Sequence, residues 1–316
     1  MMFDVLVVAG MIDRKFYSKL LPLMKSDQVR RIYVIRRDYV SGEKITCWSP
    51  TGIFSCNLLL AELYRVLCIV YVLARYRPKV VIGIGLILNG IYTNLLGTIF
   101  RKKKILLLMG KNDLALTYPE RRFLQRFLLK LAFLADCIGT RGTRSRRWLV
   151  DKGFDEKRIF ITHNVFDFQE FRPAPNQRKE YDLIYVGVLR LYKRVDLLLT
   201  VIRKMVFEQG FKHIRCAIVG DGPLKVALKE KAKGIGISQN AIFLPAADGP
   251  HIRHLLNQSK LFVMTSQGEG LPMAIVEAMS CGLPVVVFND ADIGDVVQHG
   301  RNGLLVERGD VDGFCT

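Results

Sequence analysis

The stretch from Ser266 to Gly282, SQGEGLPMAIVEAMSCG, holds two carboxylates, Glu269 and Glu277, on either side of a proline. Apolar runs lie before and after it, so it reads as strand, tight loop, helix and strand. Pro272 suits the first helical turn, where its missing N–H costs nothing, and Gly282 suits the C-cap. Glu269 and Gly270 then fall in the loop, with Glu277 about one and a half turns into the helix. The N–H groups of Met273 and Ala274 have no partner within a helix and make an anion site. A carboxylate in the same loop repels phosphate but accepts hydrogen bonds from sugar hydroxyls, and a second one could hold a ribose diol. That division of labour fits a sugar nucleotide. An ordinary well-capped amphipathic helix accounts for the same spacing, since Glu is common in helices.

Other residues that look chemical fit less well. Asp290-Ala291-Asp292 has the D-x-D form of a metal site but follows the strand after the Glu helix, which points to a structural role. His251 and His254 are one turn apart without a third ligand. Gly83-x-Gly85 lacks the third glycine of a dinucleotide fingerprint. His163 reads as a hinge or surface residue. Nothing in the sequence calls for a metal.

The elements that must position these residues alternate. In the first half, strands at 4–9, 31–35, 80–83, 105–109 and 137–139 alternate with helices up to about Lys25 and at 57–75, 123–135 and 144–152, the last ended by Gly153. Residues 169–180, QEFRPAPNQRKE, break the pattern with two prolines and a charged cluster, as a linker does. The alternation restarts with strands at 182–186, 215–219, 241–244, 261–265 and 284–288, and helices at 195–208, 224–233, 251–257 and 272–280. This implies an α/β chain of two Rossmann-like domains, 1–168 and 181–316, each with a parallel sheet covered on both faces. Ligands of such sheets bind at the carboxyl ends of the strands, so a cleft between the two sheets is expected.

Charge separates the halves. Residues 1–168 hold 29 Lys and Arg against 13 Asp and Glu, a net of +16; residues 169–316 hold 18 against 16, a net of +2. A basic half points to a polyanion: a membrane surface, a phosphorylated acceptor or a nucleic acid. A solvated basic face gives the same count. The seven cysteines are odd in number and without C-x-x-C, which suggests a reducing compartment. The chain opens straight into an apolar strand, with no signal peptide expected. Val80 to Phe100 carries no charge over 21 residues, near the ~20 that span a bilayer. Its four glycines and two asparagines split it instead into strand and helix. The helix around Arg121–Ala135 has Arg122, Arg126 and Lys130 along one side and Phe123, Phe127, Leu128, Leu131 and Leu134 elsewhere. It reads as a bilayer-lying helix or as a core helix with a solvated face. Arg101–Lys104 and Arg141–Arg147 add cations nearby in sequence.

The run E-G-L-P-M-A-I-V-E-A-M-S-C-G-L-P-V-V resembles the Glu-x7-Glu signature of retaining GT-B glycosyltransferases, the group 1 type or family four. Val186-Gly187 with Lys193 and Asp196-Leu197-Leu198 resembles that family's V-G-R-L…K-G-x-D-L-L segment, and Val219-Gly220-Asp221-Gly222-Pro223 its G-D-G-P turn. Gly300–Val306 resembles its N-G-L-L-V strand, and Asn164–Asp167 with Phe171-Arg172-Pro173 its hinge. The likeness is detailed over about 136–313 and only architectural before that. It implies that Glu269 contacts the donor sugar and Glu277 the ribose. The segment Gly270, Leu271, Pro272, Met273 and Ala274 meets sugar and diphosphate, and Lys193 the diphosphate. Gly220 and Gly222 join the donor set. The family's partner Arg falls on Val188, so Arg190 is the candidate substitute. Many relatives place a His after the fifth strand; this chain has Gly110-Lys111-Asn112-Asp113 there, which makes Asp113 or Asn112 the candidate. Gly10 could admit a phosphate or the acceptor close to the backbone.

The resemblance implies a retaining transfer of a sugar from a UDP- or GDP-sugar to an acceptor hydroxyl, with no resident cofactor. The acceptor would be a lipid-linked or cell-surface glycan precursor of polysaccharide, lipopolysaccharide or capsule synthesis. The location implied is cytoplasmic, peripheral at the inner face of the membrane. Relatives continue beyond the N-G-L-L-V strand, so an incomplete C-terminal domain is expected. A sugar phosphorylase or nucleotide-sugar epimerase would use the same fold. A basic nucleic-acid-binding protein would explain the charge, but no RRM, KH or helix-turn-helix signature accompanies it, and no nucleic-acid partner is expected.

Overall fold

The computed structural model describes residues 2–10, 13–108, 122–162, 170–268, 271–290 and 292–315. The chain divides into two compact units, Met1–Val165 and Phe166–Thr316.

The first unit is built on β1 (Phe3–Val8), β2 (Val29–Ile35), β3 (Ile45–Trp48), β4 (Val80–Ile84), β5 (Lys103–Leu107), β6 (Cys137–Thr140) and β7 (Ile159–Ile161). They form one parallel sheet in the order β3-β2-β1-β4-β5-β6-β7. Helices α1 (Asp13–Lys25), α2 (Leu58–Arg75), α3 (Ile91–Ile99), α4 (Arg122–Ala132) and α5 (Thr143–Asp151) connect them. Alternate residues serve the two faces: Val5, Val7, Ile82 and Ile84 meet Phe16 and Leu20 of α1. Leu6, Val8 and Val81 meet Cys68, Ile69, Val72 and Leu73 of α2. Such two-sided burial explains why these strands read as unbroken apolar runs.

The second unit repeats the plan with β8 (Tyr181–Val186), β9 (Cys216–Val219), β10 (Ala241–Leu244), β11 (Ser259–Met264), β12 (Val285–Phe288) and β13 (Gly303–Val306). Its order is β10-β9-β8-β11-β12-β13, all parallel. The connections run through α6 (Val195–Phe207), α7 (Lys225–Gly234), α8 (Gly249–Asn257) and α9 (Met273–Ser280), with α10 (Val311–Cys315) last.

Several expectations change. Strands β3 and β7 were not read from the sequence; with four and three residues they carry too little periodicity to be seen. The uncharged stretch from Val80 is β4, a kinked turn over Leu86–Gly90 and α3. Gly83 is there for packing, since a Cβ on it would lie 3.0 Å from the Gly90 Cα. No described helix is long and apolar enough to cross a membrane. Residues 170–180 are bound to the second unit: Phe171 is in its core, the Ala174 N–H donates to Asn257, and Lys179 Nζ donates to the carbonyls of Asn257 and Ser259.

Candidate functional site

In each sheet the strand order reverses once, between β8 and β11 in the second unit and between β1 and β4 in the first. The carboxyl edge at such a reversal is where open α/β sheets bind ligands, because neighbouring loops leave in opposite directions there.

In the second unit the loop after β8 closes with a single 3-10 turn over Leu191–Lys193, whose last N–H donates to the Arg190 carbonyl at 3.0 Å. Lys193 is buried and Arg190 exposed. The residues beside Lys193 are tied to the loop after β11. Gln267 donates its N–H to the Tyr192 carbonyl at 2.8 Å, and Thr265 Oγ1 donates to the Arg194 carbonyl at 2.8 Å. Arg194 stands where the resembling K-G-x-D-L-L segment has glycine, and its φ of 47° is left-handed. That conformation costs about 1 kcal/mol for a residue with a Cβ. Two 2.9 Å bonds to Asp196 and one of 3.3 Å to Gln267 offset it. Burial pushes the Asp196 carboxyl up, but the Arg194 hydrogen bond and charge outweigh it and hold the group below its usual range.

The loop after β11 leads into α9, which starts at Met273. Pro272 lies just before it, extended at φ −64° and ψ 131°, rather than inside the first turn as expected. The residue before a helix keeps a β conformation while its carbonyl enters the helix, and the proline ring accepts that φ. Met273 and Ala274 form the first turn, half-buried; Leu271 and Pro272 are buried. Glu277 is 4% exposed, a buried carboxylate one turn further. Gly282 takes φ 79° after the helix, as its sequence position suggested.

Gly220 and Gly222 have a packing reason. Their turn lies against the loop after β8, with Leu189 N–H on the Asp221 carbonyl at 2.8 Å. A Cβ on Gly222 would stand 2.5 Å from the Leu189 carbonyl oxygen, and one on Gly220 would overlap that of Gly187.

Two residues have contacts or burial at the loop after β11 that the sequence did not show. Asp290, from the D-x-D, is 2% exposed and accepts the Gly268 N–H, with Arg308 at 3.9 Å. It holds the loop from below. Ser266 Oγ is buried and has no hydrogen-bond partner among the described residues. A D-x-D placed after the wrong strand carried the only signal for Asp290. His251 Nδ1 pairs with Asp248 at 2.6 Å at the start of α8, and His254 with Gln177, so neither is placed as a ligand.

In the first unit Gly10 lies at the reversal between β1 and β4. A Cβ there would only touch Asn89 Nδ2 at 3.5 Å, so nothing described in the fold demands glycine. Beneath it the buried Arg65 binds both Glu62 oxygens at 2.9 and 2.8 Å, the Ala9 carbonyl at 3.4 Å, and Asn89 Oδ1. Asn89 in turn donates to the Ile84 carbonyl at 2.8 Å. Arg141 is buried, not on the surface as its place in a basic run suggested. Asp113 with Asn112, Glu269, Gly270 and the hinge at Asn164–Asp167 lie outside the described residues.

Residues 167–315 match the family model described as glycosyl transferases group 1. The second unit is thus similar to the group 1 glycosyl transferases over nearly its whole length. The chain is similar to N-acetyl-α-D-glucosaminyl L-malate synthase of Bacillus anthracis, 31% identical over 168 residues, 50% of this chain and 43% of that one. It is also similar to the UDP-Gal:α-D-GlcNAc-diphosphoundecaprenol α-1,3-galactosyltransferase of Escherichia coli, 29% identical over 172 residues, 51% of this chain and 44% of that one. It spans under half the length of these curated relatives. The crystal structure of Anabaena HepE in complex with UDP and glucose superposes with a TM-score of 0.76 at 17% identity, covering 99% of this chain and 88% of that one. That likeness establishes the GT-B type of α/β fold. The group 1 glycosyl transferases are transferase enzymes, and the loops after β8 and β11 lie inside the matched segment.

Proposed function

We propose that this chain moves a sugar from a nucleotide-sugar donor to an acceptor hydroxyl with retention, and that the donor binds at the β8/β11 reversal. The observation that carries the reading is the tying of the loop around Lys193 to the loop that leads into α9. It gathers a buried cation, the first-turn N–H groups of Met273 and Ala274, and the buried Glu277 at one sheet edge. Lys193 and those amides offset the diphosphate charge, with Arg190 at the rim; Glu269 takes sugar hydroxyls and Glu277 the ribose. The bond between anomeric carbon and diphosphate oxygen breaks as charge builds on the leaving diphosphate, which fixed donors in place beforehand stabilise. The leaving oxygen takes the proton of the acceptor hydroxyl, which attacks from the same face. The protein orients both substrates and needs no covalent nucleophile. On this reading the nucleotide sugar is a substrate, no resident cofactor or metal is required, and Asp113 or Asn112 positions the acceptor.

UDP is the nucleotide favoured, because Anabaena HepE is described with UDP and glucose and the Escherichia coli relative with UDP-Gal. A diphospho-lipid acceptor, and hence work at the cytoplasmic face of a membrane, is favoured by the diphosphoundecaprenol in that relative's name. A thermal-shift screen with UDP, GDP, ADP and their sugar conjugates tests the donor site, since a ligand of the native state raises the melting point. Stabilisation by one nucleotide family, lost in Glu277→Ala, is expected. Charge-assisted hydrogen bonds contribute about 1.5–3 kcal/mol each, so the variant should bind roughly ten- to a hundredfold more weakly. Stabilisation that survives Glu277→Ala unchanged removes that residue from the ribose.

A further inference from the structure

Helices α2, α3 and α4 lie side by side on one face of the first sheet, with α3 between the other two. Asn94 of α3 donates to the Leu131 carbonyl of α4 at 2.9 Å, which locks two of them together. α2 turns Ala61, Cys68, Ile69, Val72 and Leu73 inward. Its opposite side presents Leu59, Leu63, Leu67 and Tyr71, four residues apart and 50–78% exposed. Such a face is ordinarily polar. Here Glu62 is bonded to Arg65 and Arg37, which leaves that side without a free charge. Ile99 of α3 is 71% exposed, and Phe123 of α4 is 86% exposed. Phe123 and Phe127 therefore share the solvent side of α4 with Arg126 and Lys130, while Leu129 and Ala132 face the core. An apolar surface this broad marks an interaction site.

Charge selects the occupant. Arg75, Arg77 and Arg101 are exposed at or just beyond the ends of α2 and α3, and Arg126 and Lys130 sit on α4 itself. Between 58 and 132 the only described carboxylate is the paired Glu62. A second copy would set these cations near their own kind on a half that carries +16. We infer that the outer surface of α2, α3 and α4 docks on an anionic lipid bilayer, with Leu59, Leu63, Leu67, Tyr71, Ile99 and Phe123 entering the headgroup boundary and the cations resting on the phosphates. Helices with one apolar side and cationic flanks lie in that plane, and aromatic side chains settle at that depth. The inference gives a use to the lipid-linked acceptor of the proposed function and rests on that reading only for its purpose.

The test is flotation of the whole chain with mixed phosphatidylcholine–phosphatidylglycerol vesicles and with phosphatidylcholine alone. Binding is expected to the mixed vesicles, weakened by salt and by phosphatidylcholine alone, and to fall roughly fivefold for Arg126→Glu. Leu63→Glu/Leu67→Glu and, independently, Phe123→Glu should each lower it at least tenfold while the melting point stays unchanged, because these side chains are exposed in the fold. No flotation of the parent chain overturns the inference, as does flotation equal in parent and variants. A dimer in light scattering that Leu67→Glu dissolves, without vesicle binding, would assign the face to a second copy instead. UDP or GDP stabilisation is measured on the same proteins: flotation without nucleotide binding in the parent chain sinks the transferase reading but leaves the docking surface standing.

Discussion

Asp290 accepts the backbone N–H of Gly268 from below the loop that carries the first signature glutamate. A buried carboxylate from the end of β12 thereby fixes a loop that leaves β11. Asp290→Ala should leave that N–H without its acceptor and loosen the approach to α9. The donor KM should rise at least tenfold, in line with the ~1.5–3 kcal/mol of a hydrogen bond to a charged group. Asp290→Asn keeps an oxygen that can accept and should recover most of it. Equal kinetics for the alanine and asparagine variants would refute the positioning role.

Lys193 is buried beside a loop tied to its neighbour by the Tyr192–Gln267 bond. If it stabilises the departing diphosphate, Lys193→Ala should lower kcat by on the order of 10²–10³. Far-UV circular dichroism should be unaltered. Steady-state turnover of the nucleotide sugar found by the thermal screen is the measurement. A change confined to KM would make Lys193 a binding residue alone.

Gly220→Ala should be a folding mutation before it is a catalytic one. Its Cβ has no space against the Gly187 carbonyl, and its φ is 150°. Forcing two loop backbones apart should cost on the order of 2–4 kcal/mol. Denaturant unfolding of the second unit reads this directly. Gly10→Ala, where a Cβ meets only ordinary contact, should by contrast leave stability within about 1 kcal/mol.

Lys19 on α1 is buried, and that burial, reinforced by the charge of Arg141, pushes its ammonium down from 10.5 to about 7. The unfolded chain keeps the proton up to about 10.5 and the folded chain releases it above about 7. Between those values the unfolded state binds more protons, so stability rises with pH through the window and the cost is felt in full below it. Lys19→Met should therefore be more stable than the parent near pH 7, by on the order of a few kcal/mol. The gap should close as the pH climbs towards 10.5. Parallel unfolding curves for the two proteins across that range would remove Lys19 as the source.

By itself the sequence determined the two αβ units, the strand–loop–helix from Ser266 to Gly282 and the likeness of the second unit to the group 1 glycosyl transferases. These are local: two-sided burial gives apolar strands, a proline starts a helix, a glycine ends it, and Lys193, Gly220 and Gly222 keep fixed spacings. Only the tertiary structure decided which loops meet. That Tyr192 bonds to Gln267, 75 residues on, and that Asp290 reaches back to Gly268, follow from the strand order, which no local pattern encodes. The same holds for β3 and β7, whose few residues are strands because β2 and β6 offer them hydrogen bonds. α2 is apolar nearly all round, so its sequence cannot say whether Leu63 and Leu67 or Cys68 and Val72 face inward. Packing against Leu6, Val8 and Val81 chooses the second set and leaves the first in water.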